Sequence, residues 1–214
     1  MKQFIITCFL ISLQFGIFAQ DQPVIHLPQP QLEKGRPLMQ VLSDRQSNRS
    51  FSEQELPPQE LANLLWAANG INRKDANKRT APTSMNRQEI EVYVSSKDGL
   101  FRYNAQKHAL ITIHNRDIRS FTGMQGFAAS APLNLIIVAD LEKMSGKELQ
   151  EKMQTAHIDA GYVSQNIYLY CASEGLATVV RGSVERNKLA AEMGLDSNFR
   201  IIVAHTVGYP EGSH

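Results

Sequence analysis

The 214 residues carry 22 basic and 21 acidic side chains, for a net charge of +1, and 43% of them are apolar. This balance excludes a surface built on bulk charge for a polyanion, so nucleic acid is not an expected partner. The length suits one domain with a good core, or two small ones.

Met1 to Gln20 stands apart from the rest. Lys2 supplies a positive start, Phe4 to Phe18 is almost wholly apolar, and Ala19 is the small residue a cleavage site requires. Residues 1–19 therefore read as a secretory signal peptide and the protein as exported, periplasmic or secreted. The apolar run is short for a membrane span, which needs roughly 20 residues. No stable span is expected after cleavage; an uncleaved anchor is the alternative. Cys8 falls within the removed segment, so the mature chain keeps only Cys171 and can form no internal disulfide. Asp21 to Pro37 contains four prolines. Residues 20–36 accordingly read as an extended arm running over the surface or over a partner subunit, and a single domain is expected over 37–214.

A short helix is predicted from Pro37 to Leu42, ending near Ser43-Asp44. Arg45-Gln46-Ser47-Asn48-Arg49-Ser50-Phe51 follows, with two guanidinium groups, two hydroxyls and two amides in seven residues. Such a loop suits an anion, most simply a phosphate, because Arg offers a permanently charged donor fork and Ser a compact hydroxyl beside it. A solvated basic turn is the plain alternative. Ser52 and Pro57-Pro58-x-Glu60 carry helix-start chemistry. Leu61, Leu64, Leu65 and Ala68 then recur at helical spacing up to Asn69-Gly70, where Gly70 is expected at positive φ. Asn72 to Gln88 is a polar loop. Its centre, Pro82-Thr83-Ser84-Met85-Asn86, concentrates donors and acceptors able to read the edge of a flat heterocycle; helix capping by Thr83 or Ser84 is the alternative.

Ile90 to Val94 alternates as a strand. Leu100–Tyr103 and Ala109–Ile113 form a predicted hairpin about residues 104–107. Asp117 to Phe127 is predicted helical, and the apolar run Leu133–Ala139 is a strand buried on both faces. Ser145-x-x-Glu148 matches a capping box, with a long helix to Glu174 and Gly175 just beyond its end. The helix is apolar nearly all round from Ile158 onward, which places it inside the fold or between subunits. Its embedded His157, Asp159, Gln165 and Asn166 then need partners. His157 reads as a satisfied core histidine and Cys171 as a packed thiol. Ala177–Val180 leads to Arg181-Gly182-Ser183. A helix is predicted over Val184–Met193, and a buried strand around Ile201–Ala204. No Gly-x-Ser-x-Gly, Walker loop, zinc-spaced His/Cys set or Gly-x-Gly-x-x-Gly is present, so no metal, no Rossmann site and no catalytic side chain is assigned.

In order, these pieces resemble the FMN-dependent nitroreductase superfamily. They are most similar to its branch related to the azoline-oxidising enzymes of peptide-toxin biosynthesis. The likeness spans about residues 37 to 210. It rests on the Arg-x-Ser-x-Arg-x-Phe opening at 45–51, the Pro-Ser-x-x-Asn-x-Gln loop (here Ala81 to Gln88, with Thr83 replacing Ser), the Leu100–Leu110 hairpin, the helix through 159–169, Glu174-Gly175-Leu176-Ala177-Thr178, and Val207-Gly208-Tyr209-Pro210. The resemblance implies an α+β fold with a mostly antiparallel sheet and a long core helix at a homodimer interface, where two FMN sites are shared. It implies that Arg45 and Ser47 hold the phosphate, with Gln46 contributing through its amide, and that Arg49 faces the pyrimidine edge of the ring. Pro82, Thr83, Ser84 and Asn86 would come from the other subunit, and backbone donors at Arg181 and Gly182 would approach N5 and O4. It further implies two-step hydride transfer through flavin N5 involving a small organic or quinone-like substrate. Reduced nicotinamides are cytosolic, so NAD(P)H is a doubtful donor for an exported copy. Two departures stand out: no basic residue follows the last strand except His214, and the azoline oxidases' Lys-Tyr type pair has no counterpart. A flavin- or ligand-binding protein without turnover is the rival reading.

Overall fold

A computed structural model describes residues 23–212, Ser145 and Lys147 excepted. The predicted signal peptide and the Ser145 half of the capping box lie outside the described residues. In chain order the elements are β1 (Val24–His26), α1 (Leu38–Asp44), α2 (Pro58–Asn69), β2 (Ile71–Arg73), β3 (Lys78–Arg79), β4 (Ile90–Ser96), β5 (Gly99–Asn104), β6 (Ala109–His114), α3 (Phe127–Ser130), β7 (Leu133–Asp140), α4 (Leu149–Glu174), β8 (Ala177–Arg181), α5 (Arg186–Met193) and β9 (Phe199–Gly208). Among the described residues, seven strands form one sheet in the order β1-β6-β5-β4-β7-β9-β8, and every neighbouring pair is antiparallel.

β7 is the axis of this α+β fold. All eight of its residues are buried, as the continuous apolar run requires of a strand covered on both faces. Leu135 and Ile137 face one way, with Val92, Val94 and Ile202, and meet Leu64 and Leu65 of α2 and Ala160, Val163 and Ile167 of α4. Ile136 and Val138 face the other way and meet Ile118, Leu189 and Met193. Each fully buried aliphatic side chain contributes roughly 1.5–3 kcal/mol, so the sheet is clamped from both sides.

The differences from expectation are local and have physical causes. The arm is not wholly irregular: Val24–His26 joins the sheet edge against Leu110 and its neighbours. α2 begins at Pro58, where a missing N–H costs nothing, and Ser52 does not cap it. Gly70 is extended (φ −74°), not left-handed. It is glycine for space, since a Cβ there would stand 2.5 Å from the Trp66 ring and 2.6 Å from the Trp66 carbonyl. Asp117–Phe127 is not a helix. It holds one tight turn at Arg119–Phe121 before α3 begins at Phe127. Asp117 takes both the amide and the guanidinium of Arg119. Thr122 donates back to the Arg119 carbonyl at 2.7 Å. Local side-chain bonds thus replace the helical ladder. α4 matches its predicted extent, starting at Leu149 behind Glu148 and closing at Gly175 with φ 71°.

Candidate functional site

The Arg45 loop leaves α1 and runs along the free edge of β8. The Asn48 amide donates to the Thr178 carbonyl at 2.9 Å, which takes up part of an otherwise open strand edge. Tyr168 of α4 fastens the loop. Its hydroxyl lies 2.8 Å from Ser47 Oγ and accepts the Val180 amide at 3.0 Å. The Arg45 guanidinium lies over the same ring, 5.1 Å from its centre, a cation–π contact. Downstream, Phe51 bridges Pro210, and the Ser52 amide donates to the Tyr209 carbonyl. One phenol therefore brings Arg45 and Ser47 beside the end of β8, where Arg181 and Gly182 lie.

Gln46, Ser47 and Arg49 are exposed and Arg45 is half-buried. Among the described residues no carboxylate lies within ion-pairing distance of Arg45 or Arg49. Two cations without a carboxylate partner on a pinned loop have the charge and donors to take an anion. Gly182 is exposed, and a Cβ there would meet nothing within 4 Å, so its backbone is open to a ligand. The chemistry of this set fits a phosphate-bearing planar cofactor.

The Arg181 side chain does something else. It turns into the fold and is 4% exposed. Its guanidinium donates to the Thr122 carbonyl at 2.6 Å and to Asn134 Oδ1 at 2.7 Å. Burial without an acid beside it lowers its pKa to about 10, so it remains charged at neutral pH. Gly123 gives it room, since a Cβ there would stand 1.6 Å from Nη1. Asn134 Oδ1 also accepts from Thr206 Oγ1 at 2.7 Å. Beside this cluster His205 is fully enclosed and its pKa falls to about 3, by burial and then by the Arg181 charge. Thr178 Oγ1 donates to the Thr206 carbonyl at 2.9 Å, so it accepts from His205 Nδ1–H, and Nε2 is left to accept from Ser164 Oγ at 2.7 Å. The histidine is neutral, with a defined tautomer.

Pro82, Thr83, Ser84 and Asn86 lie elsewhere. Thr83 Oγ1 accepts the Gln88 amide at 3.0 Å, the Ser84 amide donates to Asp159 Oδ2 at 2.9 Å, and Asn86 is exposed. Met85, Asn86 and Gln88 all take positive φ, a strained path that these contacts hold. Asp159 and Tyr168 are nine residues apart on α4, roughly 13 Å along the helix axis. One chain therefore does not bring the two halves of the predicted site together.

Of the embedded helix residues, Asp159 is buried and partnered by Ser84, and Asn166 donates to the Ala68 carbonyl. His157 and Gln165 are exposed, so His157 is not the core histidine expected of it; it lies on the outward face of α4 with Ile158 and Tyr162. Cys171 is a buried free thiol whose pKa is pushed up by burial, as expected of a packed group. Sequence reasoning does not single out Tyr168 or Asn134. Tyr168 hides among apolar helix positions. Asn134 carries a signal, being a lone amide in the buried run Leu133–Ala139 that has to find partners.

A wholly antiparallel sheet packed on a long helix, with a cationic loop along its last edge, is the fold of a flavin-type oxidoreductase family, as its matches show. The chain belongs to the Nitroreductase family, whose model matches residues 42–209. It is 30% identical over 162 residues to a nitroreductase-type protein of Methanocaldococcus jannaschii, covering 71% of this chain and 81% of that one. Among solved structures, a nitroreductase-type protein of Ralstonia eutropha is 41% identical with a TM-score of 0.84, covering 89% of this chain and 90% of that one. The fold also recurs in the Escherichia coli microcin synthetase McbBCD complex, at 18% identity and TM-score 0.67, covering 78% of this chain and 71% of that one.

Proposed function

We propose that this protein is an exported, FMN-dependent oxidoreductase that works as a homodimer in two half-reactions. Arg45 and Ser47 would hold the phosphate, Gln46 would add its amide, Arg49 would supply positive charge at the pyrimidine edge, and the backbone at Arg181 and Gly182 would offer donors to the ring. FMN, when bound, would supply the capacity to accept and return a hydride at N5. The chain's own residues hold and orient the ring and set the charge around it.

The observation that carries this reading is the separation of the two half-sites along α4. An antiparallel partner helix crossing midway between Asp159 and Tyr168, over the exposed Tyr162 and Gln165, brings the partner loop anchored at Asp159 opposite this chain's Tyr168. The surface needed for such a crossing exists: Ile158 is 59% and Tyr162 45% exposed, and Leu38, Met39 and Leu42 of the adjacent α1 are exposed as well. An apolar strip of this kind is characteristic of an interface. Ile158→Glu with Tyr162→Glu should leave the protomer folded, weaken association about thirtyfold or more, and release the flavin in parallel. Light scattering and flavin absorbance measure the two effects; a monomer that keeps its flavin would contradict the shared site.

The electron donor is proposed to be a quinone-like or organic molecule, because reduced nicotinamides are cytosolic and residues 1–19 read as an export signal. The purified mature protein should show a visible flavin spectrum that dithionite bleaches and that NADH and NADPH do not bleach rapidly. Rapid bleaching by either nicotinamide sinks the donor assignment, and a protein that stays colourless on titration with FMN sinks the whole reading. A second reading, flavin binding without turnover, draws on Glu211. This carboxylate accepts from Ser50 Oγ beside the Arg45 loop, near where many relatives place a basic residue. Turnover of the bound flavin with any donor and acceptor pair decides between them.

A further inference from the structure

Glu89 follows the 83–88 loop directly and enters β4. It is 0% exposed, and among the described residues neither carboxyl oxygen has a hydrogen-bond partner of good geometry; its own backbone amide and the Arg87 charge offset the burial only in part. A buried carboxylate without donors is costly, by several kcal/mol in general. The group it faces is the Asp159 carboxyl, itself 3% exposed. Asp159 Oδ2 is already committed to the Ser84 amide at 2.9 Å. Two enclosed carboxyls in contact cannot both ionise cheaply. The missing donor must be a proton held between them.

We propose that Glu89 and Asp159 share one proton, and that this proton latches the 83–88 loop onto α4. With the proton present, Glu89 donates to Asp159, and Asp159 receives the Ser84 amide. With it gone, two buried negative charges repel, and the loop's anchor on the helix is undone. The surroundings do not supply a substitute cation. Arg87 is the nearest, but its guanidinium is directed at the Ser84 carbonyl and hydroxyl and the Met85 sulfur. Arg79 is held by Gln88 Oε1 and the Asn69 carbonyl. Lys143 pairs with Glu91 and Asp140 while touching the Gln88 carbonyl. Lys152 of α4 is held by the Leu141 carbonyl. His157, two residues before Asp159, is exposed and bonded to the Met153 carbonyl.

Burial first, and the Asp159 carboxyl second, raise the Glu89 pKa to about 7. The sign follows from the raised value. The unfolded chain loses this proton near the ordinary Glu value, so the contribution to stability is complete below about 4.5 and is lost as pH rises through about 7. The latch opens on the alkaline side. Because the loop it holds carries Thr83, Ser84 and Asn86, Glu89 and Asp159 are positioning residues for the flavin site. That consequence rests on the function proposed above; the latch itself does not.

The tests use the flavin-free full chain, so they are independent of the cofactor. Glu89→Gln replaces the shared proton with a permanent amide donor. Between about pH 5 and 7 the unfolding constant of the wild type should rise about tenfold per pH unit relative to that of the Gln variant. His205, buried neutral, acts in the opposite direction in both proteins and cancels in the comparison. Exchange of the Ser84 amide should accelerate in the wild type relative to the variant above pH 7. The wild type alone should show the infrared carbonyl stretch of a buried protonated acid, vanishing as pH rises through the same range. Parallel unfolding profiles, or the absence of that infrared signal at pH 5, overturn the latch. Failure of FMN to bind while these signals are present would overturn the flavin reading and leave the latch standing.

Discussion

Arg45→Ala with Arg49→Ala should remove the flavin and leave the fold intact. Each charge-assisted hydrogen bond is worth about 1.5–3 kcal/mol, so losing both should weaken FMN binding at least about a hundredfold. The protein itself should barely be affected. Neither arginine pairs with a carboxylate among the described residues, and Arg49 is exposed. The substitution strips the Arg45 guanidinium from the Tyr168 ring, a cation–π interaction worth about 0.5–1 kcal/mol. Equilibrium dialysis against FMN and a thermal melt of the flavin-free variant measure the two effects separately. Wild-type binding should also weaken with rising salt, since the exposed cations are screened within about 10 Å at 0.1 M. Full flavin content in the double variant would mean that the phosphate is held elsewhere.

Asn134→Ala should damage the fold severely, at about 3–5 kcal/mol. Its side chain serves three partners at once: the Arg181 guanidinium, the Thr206 hydroxyl and the Ala128 carbonyl. Truncation leaves a buried cation with little beyond the Thr122 carbonyl, and two further polar groups short of a partner. A typical domain has only about 5–15 kcal/mol of stability in total, so the loss is readily visible in urea unfolding. Arg181→Met makes the mechanism checkable, because it removes the charge together with its need for acceptors and should cost less than Asn134→Ala. In the double variant the penalties should combine to less than their sum. A loss under about 1 kcal/mol for Asn134→Ala would show that water or backbone movement satisfies the guanidinium instead.

Much of the fold is legible in the sequence because periodicity and punctuation are local. The continuous run Leu133–Ala139 dictates a doubly covered strand, and β7 lies inside the sheet, between β4 and β9, with all eight residues buried. Gly175 at a left-handed turn ends the long helix where expected. The segment 117–127 departs from its helical pattern because Asp117 and Thr122 bond Arg119 locally, an alternative that periodicity does not register, and Arg181, 59 residues from Thr122, then holds the turn in place. The Arg45 loop's concentration of charge and donors is legible from residue types alone, but Tyr168, which pins it, is not. Nothing in a helical tyrosine announces that its hydroxyl will meet both a serine 121 residues earlier and a strand amide 12 residues later.

By itself, the sequence determined the chemistry on offer: a loop of permanent charges, a polar loop with a heterocycle's donors and acceptors, a buried sheet and a helix without a polar stripe. These follow from side-chain composition and from spacing over a few turns. Only the tertiary structure decided which of these groups meet. It set the cationic loop against the end of β8, turned the Arg181 side chain inward while leaving Gly182 open, and closed Glu89 against Asp159. It also anchored the 83–88 loop and the Arg45 loop at separate points along α4. Such pairings depend on burial and distance between residues far apart in the chain, and these exist only once the sheet and helix have packed.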